Sequence, residues 1–124
     1  MGSDQDTTLA MLRKEVQSFV DKRDWEKFHS PKNISMALAV EAAELMEHFQ
    51  WISMDESRKL EPEKLREVSE EISDVFCYLM AMSNTLGLDM TEIFHSKMIK
   101  NRKKYPADEF KGRFGKDDPS PVQS

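Results

Sequence analysis

The spacing of apolar residues along the chain predicts helices. Apolar side chains recur three and four positions apart in four stretches, which is the period of a helix that buries one face. The predicted helices span about residues 7–23, 30–49, 62–87 and 89–104. This pattern favours an all-α fold, with four main helices in an antiparallel bundle that oligomerisation completes.

Residues typical of helix ends stand at the limits of these stretches. Ser30 followed by Pro31 is typical of an N-cap with proline in the first turn. Gly87 ends the third periodic stretch, as glycine does when it closes a helix. Asp89 and Glu92 have the spacing of a variant capping box at the start of the fourth helix.

The same pattern sets the expected domain organisation. Residues 1–106 are predicted to form one domain, in which the charged connection 50–61 contains at most a short helical turn. Beyond Pro106 the chain has Gly and Pro breaks and almost no periodicity. Residues 107–124 are therefore predicted to be a flexible C-terminal tail.

Two pairs of acidic residues with the same spacing carry the candidate chemistry. Glu41 and Glu44 lie in the second predicted helix, and Glu71 and Asp74 lie in the third. Residues three apart on a helix are roughly 5–6 Å apart at Cβ, so each pair directs two carboxylates to one point. Both pairs flank the apolar stripe of their helix, so packing of the stripes would bring the pairs together.

Four clustered carboxylates favour a metal site. Close anions repel one another and resist burial, so such a cluster normally requires a cation. A single acidic pair is ordinary on a helix surface, but two pairs beside apolar stripes indicate a hard divalent ion. Mg²⁺ is expected, with Mn²⁺ as a substitute, and phosphate oxygens of a substrate commonly complete its coordination. The sequence has no Cys/His cluster with zinc spacing.

Several runs of residues resemble a known family. The runs LAVEAAELMEHFQW (38–51), EEISDVFCYL (70–79) and KMIKNRKKYP (97–106) together resemble the MazG-type all-α nucleoside triphosphate pyrophosphohydrolases. RDWEKFHSPKN (23–33) and the tripeptide FQW (49–51) are similar to the dCTP pyrophosphatase branch. The resemblance implies Mg²⁺-dependent hydrolysis of (deoxy)nucleoside triphosphates to monophosphate and pyrophosphate. It also implies an obligate oligomer, a homodimer or a homotetramer.

The fourth predicted helix is the candidate phosphate-binding element. Lys97, Asn101 and Lys104 fall on one stripe, where they can offer positive charge and a directional donor. The resemblance assigns phosphate binding to Lys97 and Asn101, with Arg102 and Tyr105 following in the family's pattern. The alternative is a solvated basic helix end that complements its own dipole.

Aromatic residues are the candidates for base recognition. Trp25 and Trp51 are predicted to lie outside helices and to form the walls of a base pocket, because a ring stacks well on a flat base. His29 and Tyr78 are assigned to substrate binding as well, whereas Phe28 is expected in the core.

Two further positions leave alternatives open. His48 lies one turn past Glu44, so it is either an outer partner of the metal cluster or simply a histidine at a helix end, and the sequence favours the second. Val16 departs from the pattern of the dCTP branch and offers no polar contact, which leaves cytosine specificity open.

Charge and cysteine content restrict the partners and the compartment. The net charge of −5 argues against binding of a nucleic acid polymer, which requires a basic surface. The single cysteine, Cys77, excludes an internal disulfide and suits a reducing compartment. No apolar stretch has the length of a membrane span and no signal peptide is visible, so a cytoplasmic protein is expected.

The predicted reaction is metal-assisted hydrolysis without a covalent nucleophile. One carboxylate would accept the proton of the attacking water, and Glu44 and Glu47 are the candidates. A non-enzymatic helical interaction module remains an alternative. A metal-binding carboxylate bundle of the di-iron type is another, although it would have Glu-x-x-His motifs that neither acidic pair provides.

Overall fold

The protein is all-α over residues 2–112, the part of the chain that a computed structural model describes. Its helices are α1 (Leu9–Lys22), α2 (Pro31–Glu47), α3 (Met54–Ser57), α4 (Pro62–Leu86), α5 (Met90–Lys104) and α6 (Ala107–Phe110), with a 3-10 helix at Glu26–Phe28. The four predicted helices correspond to α1, α2, α4 and α5, so the all-α prediction is confirmed. Within these residues, no helix combines the length and the apolar character that crossing a membrane requires.

The predicted helix ends have local physical causes. The Ser30 side chain accepts a hydrogen bond from the Asn33 N–H at 3.2 Å, as an N-cap does. Gly87 ends α4 with φ of 65°, a left-handed conformation that glycine adopts without steric cost. The Asp89 side chain caps α5 by accepting from the Glu92 N–H at 2.9 Å.

The short turn expected in the connection 50–61 is helix α3. Its reciprocal capping box joins Ser53 and Glu56, whose side chains each accept a hydrogen bond from the other residue's backbone N–H. Beyond Pro106 the chain forms the one-turn helix α6. The predicted flexible tail otherwise falls on residues 113–124, which lie outside the described residues.

Helix α4 packs against both α2 and α1. At its C-terminal end the Thr85 hydroxyl donates to the His29 carbonyl at 3.5 Å, and at its N-terminal end Lys64 Nζ lies 3.3 Å from His48 Nδ1. Because His29 precedes α2 and His48 follows it, α2 and α4 are antiparallel.

Side-chain hydrogen bonds fasten α1 to α4. Arg13 Nε donates to Asn84 Oδ1 at 2.9 Å, and Asn84 Nδ2 donates to the Arg13 carbonyl at 3.0 Å. These two bonds satisfy both ends of the Asn84 amide, which is the condition for placing a polar side chain in a partly buried position.

The hydrophobic core lies where α1, α2 and α4 meet. Among the described residues, the buried apolar side chains are Val20, Ile34, Val68, Met80 and Ala81. All five belong to a compact unit that ends at Leu88, and a second unit begins at Asp89. The core is therefore small, and α4 contributes most of it.

A row of apolar residues on α4 stays exposed to solvent. Leu65, Ile72, Leu79 and Leu86 are each between 41% and 53% exposed. A spacing of seven places them along one face of the helix. The apolar stripe of α4 that the helical period predicts includes this row and Val68. Val68 is buried, whereas the row is exposed in the part of the chain that the structure describes.

Candidate active site

Helices α2 and α4 bring three carboxylates together. Oxygen atoms of Glu41 and Glu44 on α2 and of Glu71 on α4 all lie within 4.8 Å of one another. Glu41 and Glu44 face the same way on α2, because three residues span nearly one helical turn. The antiparallel packing of α2 and α4 then places Glu71 opposite them.

Two oxygens of this cluster are buried without a hydrogen-bond donor. They are Oε2 of Glu41 and Oε2 of Glu71. A buried carboxylate oxygen without a donor is unfavourable unless the group is protonated or a cation lies beside it. Three carboxylates around one point are the donor set that a hard divalent cation prefers. The residues of the cluster therefore fit a metal ion.

Burial and mutual repulsion change the proton affinity of the cluster. Burial, a side-chain hydrogen bond with Glu44 and the charges of Glu44, Asp74 and Glu71 raise the pKa of Glu41 to about 7. Burial and the charge of Glu44 also raise the pKa of Glu71. Near neutral pH the cluster thus holds protons that ordinary carboxylates have lost.

Asp74, Cys77 and Tyr78 lie beside the cluster on α4. Asp74 is exposed and stands outside the group of three, although its charge helps to raise the pKa of both Glu41 and Glu71. Burial and then the charge of Glu41 raise the pKa of the Tyr78 hydroxyl. Burial followed by the charge of Asp74 raises the pKa of Cys77, which keeps its thiol protonated.

Trp25 lies at the end of α1, within an aromatic and cationic group. Its ring meets Phe19 edge to face with centroids 5.7 Å apart, and the Arg23 guanidinium carbon lies 3.7 Å from the Phe19 centroid. Trp25 is 43% exposed. The expectation that Phe28 is a core residue is wrong, because its side chain is exposed and near the Lys27 ammonium.

His29 lines a cavity of about 340 Å³ beside the C-terminal part of α4. The wall of the cavity also includes Val16 and Gln17 from α1 and Asn84 from α4. His29 is partly buried, and its carbonyl accepts the hydrogen bond from Thr85. His29 therefore contacts α4 through its backbone carbonyl and borders the cavity.

The two tryptophans lie at opposite ends of α2. Trp25 precedes this helix, and Trp51 follows it on a turn where its side chain is 88% exposed. The 17 residues of α2 span about 25 Å at the helical rise of 1.5 Å per residue. The base pocket proposed for these two rings stays a prediction.

The predicted phosphate-binding residues belong to the second unit. Lys97 and Arg102 are exposed on α5, and Asn101 is partly buried. The Tyr105 ring packs edge to face against Phe110 with centroids 5.2 Å apart. Lys97 and Asn101 share a face of α5, as their spacing predicts, and their role in phosphate binding stays a prediction.

His48 lies closer to the acidic cluster than the sequence predicts. It caps the C-terminus of α2, as expected for a helix-end histidine, but its side chain is only 17% exposed. Its Nε2 atom lies 3.9 Å from Oε1 of Glu71. The spacing of four from Glu44 was the available signal, because it places His48 on the acidic side of α2.

The sequence and the fold together define the family. The model of the MazG-like family matches residues 36–115, which include the cluster of carboxylates. The chain therefore belongs to the MazG-like family. This match confirms the resemblance that the runs 38–51 and 70–79 indicated.

Known relatives agree with this assignment. dCTP pyrophosphatase 1 of Rattus norvegicus is 40% identical over 101 residues, which cover 80% of this chain and 59% of the relative. The Homo sapiens protein of the same name is 39% identical over 102 residues, which cover 81% of this chain and 60% of the relative. The chain thus spans about three fifths of the length of these relatives.

A solved structure also matches the fold. The crystal structure of a pyrophosphatase from Archaeoglobus fulgidus has a TM-score of 0.76 and 36% sequence identity to this chain. The match covers 86% of this chain and 99% of that chain. The helical arrangement described above is therefore that of a known pyrophosphatase.

The raised pKa of Glu41 predicts how the metal-free protein responds to pH. Between about pH 4.5, the ordinary pKa, and about pH 7, Glu41 is more protonated in the folded state than in the unfolded state. The melting temperature in EDTA should therefore fall as the pH rises through this window. Glu41→Gln should flatten that fall, and Glu47→Gln, which changes an exposed residue of the same helix, should not. Equal slopes in the wild type and Glu41→Gln would contradict this explanation.

Proposed function

We propose that this protein hydrolyses (deoxy)nucleoside triphosphates to the nucleoside monophosphate and pyrophosphate, with a preference for dCTP or a similar nucleotide. The observation that carries the proposal is the cluster of Glu41, Glu44 and Glu71, with its two buried oxygens that lack donors. The names of the relatives support a pyrophosphatase that acts on dCTP.

The proposed metal is Mg²⁺, with Mn²⁺ as a substitute. Glu41, Glu44 and Glu71 would hold it, and Asp74 would join them by a change of its exposed side chain. When bound, Mg²⁺ offsets the negative charge of the phosphates and favours attack by water. A di-iron type of site is disfavoured, because the cluster contains only glutamates in the described part of the chain.

The carboxylates also provide the base that the reaction requires. Water adds across the bond between the α- and β-phosphates, and its proton must pass to an acceptor. Glu44 is the better candidate for that acceptor, since it belongs to the cluster, whereas Glu47 is exposed and outside it. No covalent nucleophile is needed in this scheme.

The proposed substrate contacts divide between the base and the phosphates. Trp25 and Trp51 would stack on the base, and the nearly complete exposure of Trp51 leaves its ring free for a flat partner. Further contacts would come from His29, Tyr78, Lys97, Asn101, Arg102 and Tyr105. Lys97 and Asn101 would contact the phosphates through a positive charge and an amide donor.

The active form is proposed to be a homodimer or a homotetramer. The row of Leu65, Ile72, Leu79 and Leu86 exposes apolar surface that a second copy of the chain can cover. A cytoplasmic location stays a prediction.

Product analysis tests the proposed reaction. Each nucleoside triphosphate is incubated with the protein and Mg²⁺, and monophosphate and pyrophosphate are expected in equal amounts. Glu71→Gln should reduce turnover by at least about 10- to 100-fold, the range known for weaker changes around metal ligands. Glu70→Gln, an exposed glutamate on the same helix, is the matched control. Orthophosphate as the first product would contradict the proposal, and absence of all turnover would favour a helical interaction module.

Light scattering tests the oligomer. The wild type is expected to have at least twice the chain mass at micromolar concentration. Ile72→Lys should lower that mass, because it places a charge in the exposed apolar row. Glu70→Lys introduces the same side chain at an exposed position nearly opposite on α4 and should not. A monomeric wild type would contradict the proposed assembly.

Two substitutions separate base recognition from phosphate binding. Trp51→Ala should raise the KM for the preferred nucleotide by about 5- to 150-fold, the equivalent of about 1–3 kcal/mol of stacking, and should reduce discrimination among bases. Lys97→Ala should weaken all triphosphates alike, because they share the phosphates. If Trp51→Ala leaves base preference unchanged, the proposed stacking role of Trp51 is wrong.

A further inference from the structure

His48 bridges the acidic cluster and a lysine at the start of α4. Its Nε2 atom faces Oε1 of Glu71 at 3.9 Å, and its Nδ1 atom lies 3.3 Å from Lys64 Nζ. The imidazole is only 17% exposed, and Oε2 of Glu67 is a third neighbour, 4.0 Å from Nδ1. Lys64, Glu67 and Glu71 lie on one face of α4, the face toward His48.

The lysine determines which nitrogen of His48 carries the hydrogen. A lysine ammonium donates hydrogen bonds and cannot accept them, so His48 Nδ1 is the acceptor in this pair. Glu67 Oε2 could accept a hydrogen from Nδ1 instead, but at 4.0 Å it is beyond hydrogen-bond distance, whereas Lys64 is within it. The neutral ring then carries its hydrogen on Nε2, the atom that faces Glu71. Glu67 holds Lys64 in place through an ion pair of 3.3 Å.

The two oxygens of Glu71 have different surroundings. Oε1 faces the N–H of His48, whereas Oε2 is buried without a donor. A carboxylate held at one oxygen keeps the other in a defined direction, and such outer contacts commonly orient metal ligands. The 3.9 Å separation is longer than a direct hydrogen bond, but a shift of about 1 Å closes it, and contacts of this kind often tighten when a site is loaded.

We propose that His48, oriented by Lys64, is a positioning residue that holds the Glu71 carboxylate ready for the divalent cation. This inference rests on the proposed function, because it assumes that the cluster binds metal. The role depends on a hydrogen-bond donor at the place of Nε2 and not on a positive charge. Removing this donor and replacing it with another donor should therefore have different effects.

Mn²⁺ binding to the nucleotide-free protein, measured by titration calorimetry, tests the inference without relying on activity. His48→Leu should weaken binding by about 10- to 100-fold, the range known for residues around metal ligands. His48→Gln places an amide N–H close to the position of Nε2 and should restore most of the affinity. Lys64→Met should weaken binding in the wild-type background and have no further effect in His48→Leu, because the lysine acts through the ring.

The set of variants distinguishes failure of the inference from failure of the proposed function. Absence of Mn²⁺ binding by the wild type would overturn both. If Glu71→Gln loses binding while His48→Leu binds like the wild type, only the role of His48 is overturned. If His48→Gln is as weak as His48→Leu while both melt like the wild type, a donor at Nε2 is not the cause, and the inference is also overturned.

Discussion

Repulsion among the carboxylates of Glu41, Glu44 and Glu71 is the constraint around which this protein is built. Packing of α2 on α4 forces these groups within 4.8 Å of one another, and two of their oxygens are buried without donors. The fold therefore keeps an electrostatic cost at the centre of its main helix pair. Apolar residues of similar size would stabilise the contact between α2 and α4 without this repulsion. Carboxylates are therefore expected at this place where a cation can offset their charge.

The small core follows from the way in which α4 packs. Helix α4 directs one side to α1 and α2 and leaves the row from Leu65 to Leu86 in solvent. This row is apolar surface that the proposed oligomer would bury.

The features that could be predicted from the sequence are the local ones. Helix ends at Ser30 and Gly87 depend on hydrogen bonds and dihedral angles within a few residues, so the pattern was sufficient for both. The contact of His48 with Glu71 depends on the register between α2 and α4, which periodicity does not determine. The exposure of Ile72 could not be predicted, because a period of 3.6 identifies an apolar face but not what covers it. Asp74 stands outside the cluster because its side chain is exposed, and helical spacing does not determine the direction of a side chain.

The carboxylates come from two helices that are distant along the chain. Residues 44 and 71 are separated by 27 positions, so a cation bound between them would act as a reversible cross-link that closes this loop. The unfolded chain has no preformed site, and the binding free energy would therefore add to the free energy of folding. Parting of α2 from α4 would then become rarer as the concentration of free divalent cation rises. The local rigidity of the protein would therefore depend on the concentration of divalent cations around it.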